Sequence, residues 1–448
     1  MEPSSNSDVD SDSEAEAEVE RVEATEAATA AGRKYPHAAV IRSFCSVMAL
    51  LLAICIGLFA SDIRKTMRYD LDMQFNDNSC TLLETPTPCE DLTAVGDGER
   101  AFAGGGDFWN TLMHGSAGRI EGAVWLVNAK TGTIRAVPIE ASTPGGRLPR
   151  LLLHGLFYSQ ASQRLYAVNH DEAAGESVEI FDVVGSGDGL ALKHLLSLRS
   201  PLFGNMALND VVEGRGDELY VTEWQPFPFP AGGKNGTAAA PLRSRLQRMA
   251  VAPISLLKLP LTRVFRCTYA VGRSGAAPAC AVASEARFVM ANGIAISHDR
   301  RSVFVNDPIS RAITVLERGP AGSLTRVSSF ETKHAVDNIE MGPDGRLHAG
   351  AMPFLYTSAS VCEEARPLSA TRVVDGREIR CGKSPGSMLR ISLLGTGGRS
   401  FVDGTQTDVL VHDGSLLSGA TSALQLGGRV LLGSADAPGV LLCDVAEA

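Results

Sequence analysis

Past Cys80 the chain is made of short apolar or alternating runs that stop at Gly, Asp and Asn clusters, with almost no sustained helical periodicity. Runs of this kind read as half-buried strands, so the sequence after Cys80 is predicted to be all-β. One unit recurs: a polar residue or pair, a short apolar strand, a turn rich in Gly or Asp, then a second apolar strand. It opens at Glu90-Asp91 in EDLTAVGDGERAFAGG, at His154 in HGLFYSQASQRLYAVNH, and at Asn209-Asp210 in NDVVEGRGDELYVTEW. It recurs at Asn292 in NGIAISHDRRSVFVND, at Asp337-Asn338 in DNIEMGPDGRLHAGAMP, and at Ser418-Gly419 in SGATSALQLGGRVLLGS. Six copies predict a six-bladed β-propeller over residues 80–445, since uneven spacing is absorbed by the loops that join blades. Two insertions stand out, about 226–285 and 355–385. The first contains RSRLQRMAVAPISLLKLPLTRVF, which reads either as a lid or membrane-contacting flap over the site or as a displaced strand pair of one blade.

The pattern ahead of the repeats is different. Residues 1–36 read as a disordered acidic tail: the first 32 hold ten Asp or Glu against the single Arg21, with too few large apolar side chains to offset the entropy of ordering. Those first 32 residues carry -9 of the net charge of -10, leaving -1 for everything else. No basic stripe remains to bind nucleic acid, and that class is excluded. From Ser43 to Ala60 the chain is uncharged and apolar (SFCSVMALLLAICIGLFA), about the shortest length that spans a bilayer. A transmembrane signal-anchor is therefore expected over 37–63, joined to the propeller by a juncture over 64–79. A cleavable signal peptide would begin with a short basic region rather than a long acidic one. Arg33, Lys34 and Arg42 on one side balance Arg64, Lys65 and Arg68 on the other, so the positive-inside rule does not set the orientation. Seven of the nine cysteines follow the apolar segment, which favours an oxidising lumen or exterior for the large domain. Asn235-Gly236-Thr237 is a glycosylation sequon on that side.

Because the repeats open at a common place in the pattern, their leading residues are expected at one end of the central channel. Glu90, Asp91, Asn209, Asp210, Asn292, Asp337 and Asn338 offer only oxygen donors. That set suits a hard cation, calcium above all. Asn and Asp also begin strands simply as turn formers, but several carboxylates in one channel without a cation would be held at heavy cost in repulsion and desolvation.

The stretches CEDL, LLLHGL, YAVNHDEAAGESVEIFDV, LNDVV, MANGIAIS with VFVNDPISRAITVLER, AVDNI, and GSLLSGATSALQLGGRVLLGSADAPGVLLCDV make the chain resemble the paraoxonase/arylesterase family over nearly all of residues 80–445. The resemblance implies two calcium ions in the channel. Glu90, Asn209, Asn292, Asp337 and Asn338 would hold a catalytic one; Asp91, Asp210 and the backbone carbonyl of Leu156 would hold a deeper, structural one. It also implies a disulfide between Cys80 and Cys443 joining first and last strands, worth on the order of 4 kcal/mol. A bound calcium would polarise a substrate carbonyl and stabilise the oxyanion, and His154 with His170 would activate water. His is suited to general-base work, although a hydrogen-bonded structural role is the competing reading for His170. The expected function is hydrolysis of small carboxylic ester, aryl ester or lactone substrates by a single-pass membrane protein, its catalytic domain lumenal or extracellular.

Departures from the family bear on substrate. Glu223, Trp224 and Gln225 stand where the family usually has Asn-Asp-His; Ala351 and Met352 replace Cys-His; and Met290 stands where an aromatic is usual. Cys267 with Cys280, and Cys362 with Cys381, fit as clips on the inserted loops, leaving Cys89 as a buried free thiol or a partner for a loop cysteine. Two other functions compete: a catalytically silent, anchored binding propeller, and the gluconolactonase or strictosidine-synthase-like propeller branch.

Overall fold

The computed structural model describes residues 74–108, 111, 121–141, 146–171, 174–204, 207–227, 254–255, 257–269, 278–353, 372–374, 376–379, 383–396 and 399–445, with isolated positions 46, 50, 54 and 57 before them. The chain divides into two compact units, Met1–Ile63 and Arg64–Ala448. In the first, only Ser46, Leu50, Ile54 and Gly57 are described, all helical. Among the described residues no helix is long and apolar enough to cross a membrane. The acidic tail, most of the predicted span at 37–63, Asn235, Cys362 and Cys381 lie outside the described residues.

The second unit is a ring of six antiparallel sheets. Blade 1 runs Asp91–Ala94, Arg100–Gly105, Ala123–Asn128 and Thr133–Ala136 from channel to rim. Blade 2 comprises Leu153–Ser159, Arg164–Asp171, Gly175–Val184 and Ala191–Leu198, with Ile139–Ala141 added in parallel at its edge. Blade 3 comprises Leu208–Glu213, Glu218–Glu223, Val264–Thr268 and Ala279–Val282; blade 4 comprises Ile294–Ile296, Ser302–Asp307, Ala312–Arg318 and Leu324–Glu331. Blade 5 comprises Ala335–Met341, Leu347–Met352, Gly386–Thr396 and Arg399–His412. Blade 6 takes Ser422–Leu426, Arg429–Gly433 and Pro438–Asp444 from the end of the chain, then closes the ring with Cys80–Pro88 as its outermost strand.

Strand composition follows position in the blade. Inner and second strands such as Leu208–Glu213 and Ser302–Asp307 are buried throughout, because neighbouring blades cover both faces. The rim strand Leu324–Glu331 is largely exposed and carries polar residues. The apolar side chains gather into six interblade clusters. One joins Phe102 and Leu126 of blade 1 to Leu165 and Phe181 of blade 2. The ring continues through Tyr166 with Phe265, Tyr220 with Val303, Phe304 with Leu389, Met388 with Leu432, and Leu424 with Ala101. Each fully buried Leu, Val or Phe contributes about 1.5–3 kcal/mol, so the ring is held blade against blade with no single central core.

The sequon-bearing insertion resolves in part: Val264–Thr268 and Ala279–Val282 are the outer strands of blade 3, clipped by Cys267–Cys280. The displaced-strand reading is thus the one that holds for 264–282. In the second insertion Arg372–Val374 and Arg377–Ile379 form a separate two-stranded ribbon. From it Arg377 pairs with Asp77 and Asp413, both at 2.8 Å. Residues just before the closing strand are thereby tied to the propeller, as is Asn76 through Val409 and Val411. Cys80 and Cys443 form the predicted disulfide, and Cys89 is free and buried.

Candidate active site

The predicted leading residues lie on or beside the inner strands, and polar contacts join several of them across blades. Asn338 Nδ2 donates to Glu90 Oε1 at 2.7 Å. That oxygen lies 3.6 Å from His154 Nε2, which is 3.2 Å from Asn209 Nδ2. Asn292 hydrogen-bonds the Asp337 carboxylate. Glu90, Asn209, Asn292 and Asn338 are buried, whereas Asp337 keeps partial exposure.

Backbone approach in the channel is too close for side chains at two positions. A Cβ on Gly155 would lie 2.3 Å from Asp210 Oδ1, and one on Gly293 would lie 2.6 Å from Asn338 Cα. The glycines of the His-Gly and Asn-Gly pairs therefore let blades 2 and 4 approach the next blade's inner strand at Asn209-Asp210 and at Asp337-Asn338. Deeper in, Asp91 and Asp210 play equivalent parts. Asp91 Oδ2 accepts from Leu156 N at 2.7 Å and Oδ1 from Leu92 N at 2.8 Å. Asp210 Oδ2 accepts from Ile294 N at 2.8 Å and Oδ1 from Val211 N at 2.7 Å. Each carboxylate thus ties its own blade to the next.

Electrostatically this cluster is unrelieved as it stands. Burial, then repulsion from Asp91 and Asp337, pushes Glu90 well above the carboxylate range. Burial, then Asp91, does the same to Asp210. Asp91 and Asp337 are each raised to about 7, again chiefly by burial. Four buried oxygens at this end of the channel lack any hydrogen-bond partner: Glu90 Oε2, Asn209 Oδ1, Asn292 Oδ1 and Asn338 Oδ1. Buried polar atoms are seldom left unsatisfied. Among the described residues no group of three or more His, Cys, Asp or Glu could hold a metal alone. Here amide oxygens make up most of the donor set. Carboxylate and amide oxygens fit a hard cation such as calcium.

His154 and His170 do come together, with His154 Nδ1 2.9 Å from His170 Nε2. Burial, then the neighbouring His170, holds His154 well below the ordinary imidazole range, keeping it neutral. Phe108 stacks obliquely at 4.6 Å from the His154 ring, and Trp224 meets it edge-on at 5.8 Å. Phe108, Leu152 and Trp224 form a small apolar cluster with Met290 packed against it. The altered positions Trp224 and Met290 therefore belong to the apolar cluster beside His154. Glu223 faces away, paired with Arg263 at 2.9 Å.

Two residues of the site were not singled out by sequence. Phe108 carries no pattern of its own, lying beyond the second strand of blade 1. Glu176 is the direct cross-strand partner of His170, and both its oxygens lie 2.9 Å from His170 Nδ1. Its signal was an acid six residues after a strand-ending His, across a short hairpin.

A propeller channel lined at one end by oxygen donors, beside a buried histidine pair and an apolar wall, has the makings of a hydrolytic site. Residues 278–375, which include Asn292, Asp337 and Asn338, match the family model described as Arylesterase. That match bears out the resemblance to the paraoxonase/arylesterase family over residues 278–375. No curated protein matches the chain. Among solved structures, the chain is similar to a periplasmic gluconolactonase of Pseudomonas aeruginosa, at 13% identity, 77% coverage of each chain and a TM-score of 0.40. A gluconolactonase of Xanthomonas campestris is 13% identical, with 83% of this chain and 91% of that chain covered and a TM-score of 0.40. The PQQ-bound aldose sugar dehydrogenase of Streptomyces coelicolor is 13% identical, covering 82% and 98%, with a TM-score of 0.42. Likenesses at this level carry no argument about chemistry.

Proposed function

We propose that this protein is a calcium-dependent hydrolase of carboxylic esters, aryl esters and lactones. The observation that carries the reading is the set of four unsatisfied buried oxygens, from Glu90, Asn209, Asn292 and Asn338, of which Glu90 and Asn209 flank His154 and Asn338 bonds Glu90. With Asp337 these residues would hold a catalytic calcium, while Asp91, Asp210 and the Leu156 carbonyl would hold a structural one. A bound calcium supplies a Lewis acid for the substrate carbonyl and charge stabilisation for the oxyanion.

The chain's own groups do the rest. His154, neutral and buried, takes the proton of the attacking water and returns it to the leaving alkoxide. Phe108, Leu152, Trp224 and Met290 hold the apolar part of the substrate and exclude bulk water from the imidazole. The two disulfides, Cys80–Cys443 and Cys267–Cys280, agree with an oxidising extracellular or secretory compartment. Anchoring through residues 37–63 and glycosylation at Asn235 belong to the same proposal and rest on sequence.

The test is hydrolysis of phenyl acetate and of γ- and δ-lactones by the full-length protein, with calcium and with chelator, beside Asp337→Ala. Turnover is expected with calcium only and is lost in Asp337→Ala. A folded, calcium-stabilised protein that hydrolyses none of these would instead support the binding-propeller reading.

A further inference from the structure

We infer that Glu176 is a positioning residue that fixes the proton order of both histidines and so makes His154 Nε2 the basic atom of the site. This rests on the hydrolase reading above and adds a residue and a direction to it. Glu176 is buried, and its Oε1 accepts the Leu208 backbone N–H at 2.8 Å, which fixes the carboxylate in place. A carboxylate is an acceptor only, so the His170 nitrogen facing both its oxygens, Nδ1, carries the hydrogen. His170 Nε2 is then a lone pair, and His154 Nδ1, 2.9 Å away, must donate to it. That leaves His154 Nε2 as an acceptor.

An independent contact agrees. His154 Nε2 lies 3.2 Å from the Asn209 amide nitrogen, a donor in its own right, whereas the Glu90 Oε1 acceptor stands at 3.6 Å, beyond hydrogen-bond reach. With Nδ2 turned to the imidazole, Asn209 Oδ1 points away and becomes one of the unsatisfied oxygens. One carboxylate therefore sets two tautomers and one amide orientation, and together they place a base and a cation ligand side by side. Cross-strand pairing of His170 with Glu176, and of Asp171 with Gly175, makes the arrangement a property of the hairpin and so of a strand rather than a mobile loop.

The proton inventory closes. Water loses H⁺ to His154 Nε2 as its oxygen bonds to the acyl carbon; the proton on His154 Nδ1 can shift to His170 Nε2; and the resulting imidazolium stands against the Glu176 carboxylate. On collapse of the tetrahedral adduct the shifts reverse and His154 Nε2 protonates the leaving oxygen.

Glu176→Gln in the full-length protein is the test, read by kcat and KM on phenyl acetate, by the calcium-induced rise in melting temperature, and by ¹⁵N shifts of labelled imidazoles. Removing the carboxylate from a relay of this type lowers kcat by about 10²–10⁴-fold. The expected result is a loss in that range with KM changed less than about threefold, an unchanged calcium response, and partial recovery in Glu176→Asp. Activity within about threefold of wild type, or loss of the calcium response together with activity, overturns the inference, the latter marking a purely structural role. If the variant does not fold, the wild-type imidazole shifts still decide: a His170 protonated at Nε2 in place of Nδ1 refutes the relay. That measurement needs no turnover. A wild type with the expected tautomers and no esterase activity would sink the hydrolase reading alone.

Discussion

Gly155→Ala adds one methyl group at the tightest point of the channel. The new Cβ would stand 2.3 Å from Asp210 Oδ1, 2.5 Å from Asp210 Cα and 2.6 Å from the Asn209 carbonyl oxygen. Two of these neighbours are backbone, so the strand ends must part by about 1 Å to restore van der Waals contact. Asp210 is held by the amides of Val211 at 2.7 Å and Ile294 at 2.8 Å, and such a displacement breaks at least one of these bonds. A hydrogen bond to a charged group is worth about 1.5–3 kcal/mol, and overpacking adds about 1–3 kcal/mol. The expected loss is about 3–6 kcal/mol. Urea unfolding reads it as a lower midpoint at unchanged slope. Gly189→Ala, whose Cβ meets nothing within 4 Å, is the matched control and is expected within about 0.5 kcal/mol of wild type. If Gly155→Ala is as stable as that control, the close approach of blades 2 and 3 at the proposed sites is wrong.

Replacing both Cys80 and Cys443 by Ser releases a cross-link spanning 363 residues; loop entropy for such a span gives a loss of about 4–6 kcal/mol, measurable by the same urea titration. Cys89, fully buried with its thiol pushed up to about 12 by that burial, is expected to stay unmodified by iodoacetamide at pH 8 until the protein is unfolded, as peptide mapping would show. His412 is lowered by burial from 6.5 to about 4, against the opposing pull of Asp77 and Asp413. The unfolded chain thus binds a proton between those values that the native one refuses. Its contribution, at most about 3 kcal/mol, is complete above pH 6.5 and is lost as pH falls toward 4. Urea titrations across that window should be flatter for His412→Gln, and identical slopes would refute the assignment.

The blades were legible in the sequence because each inner strand announces itself with polar residues followed by an apolar run, as in NDVV and DNIEM. The number of blades followed from the same pattern, and closure by Cys80 and Cys443 from the family resemblance alone. What escaped was whatever depends on register or on reach across a blade. Glu176 lies beside His170 only because the hairpin from Asp171 to Gly175 pairs them, and hairpin register is set by turn geometry more than by residue type. Trp224 was visible as a departure, but not that its indole would stand against His154. The outer strands of blade 3 were ambiguous because about forty residues separate them from Glu223, longer than the loops that usually join neighbouring strands.

Closure by the strand Cys80–Pro88 has a consequence for how the molecule is made. That strand leaves the ribosome first among the blades' strands, yet its partner, Pro438–Asp444, is the last of those strands to be made. At about 5–20 residues per second, some 350 residues of waiting amount to roughly 20–70 seconds with this edge unpaired. Glu90 follows directly on the strand, and its carbonyl is held by Thr421 of blade 6. The acid at the centre of the proposed cation site is thus seated by Asn338 and Thr421, so the site can assemble only once blades 5 and 6 have been made and the ring has closed.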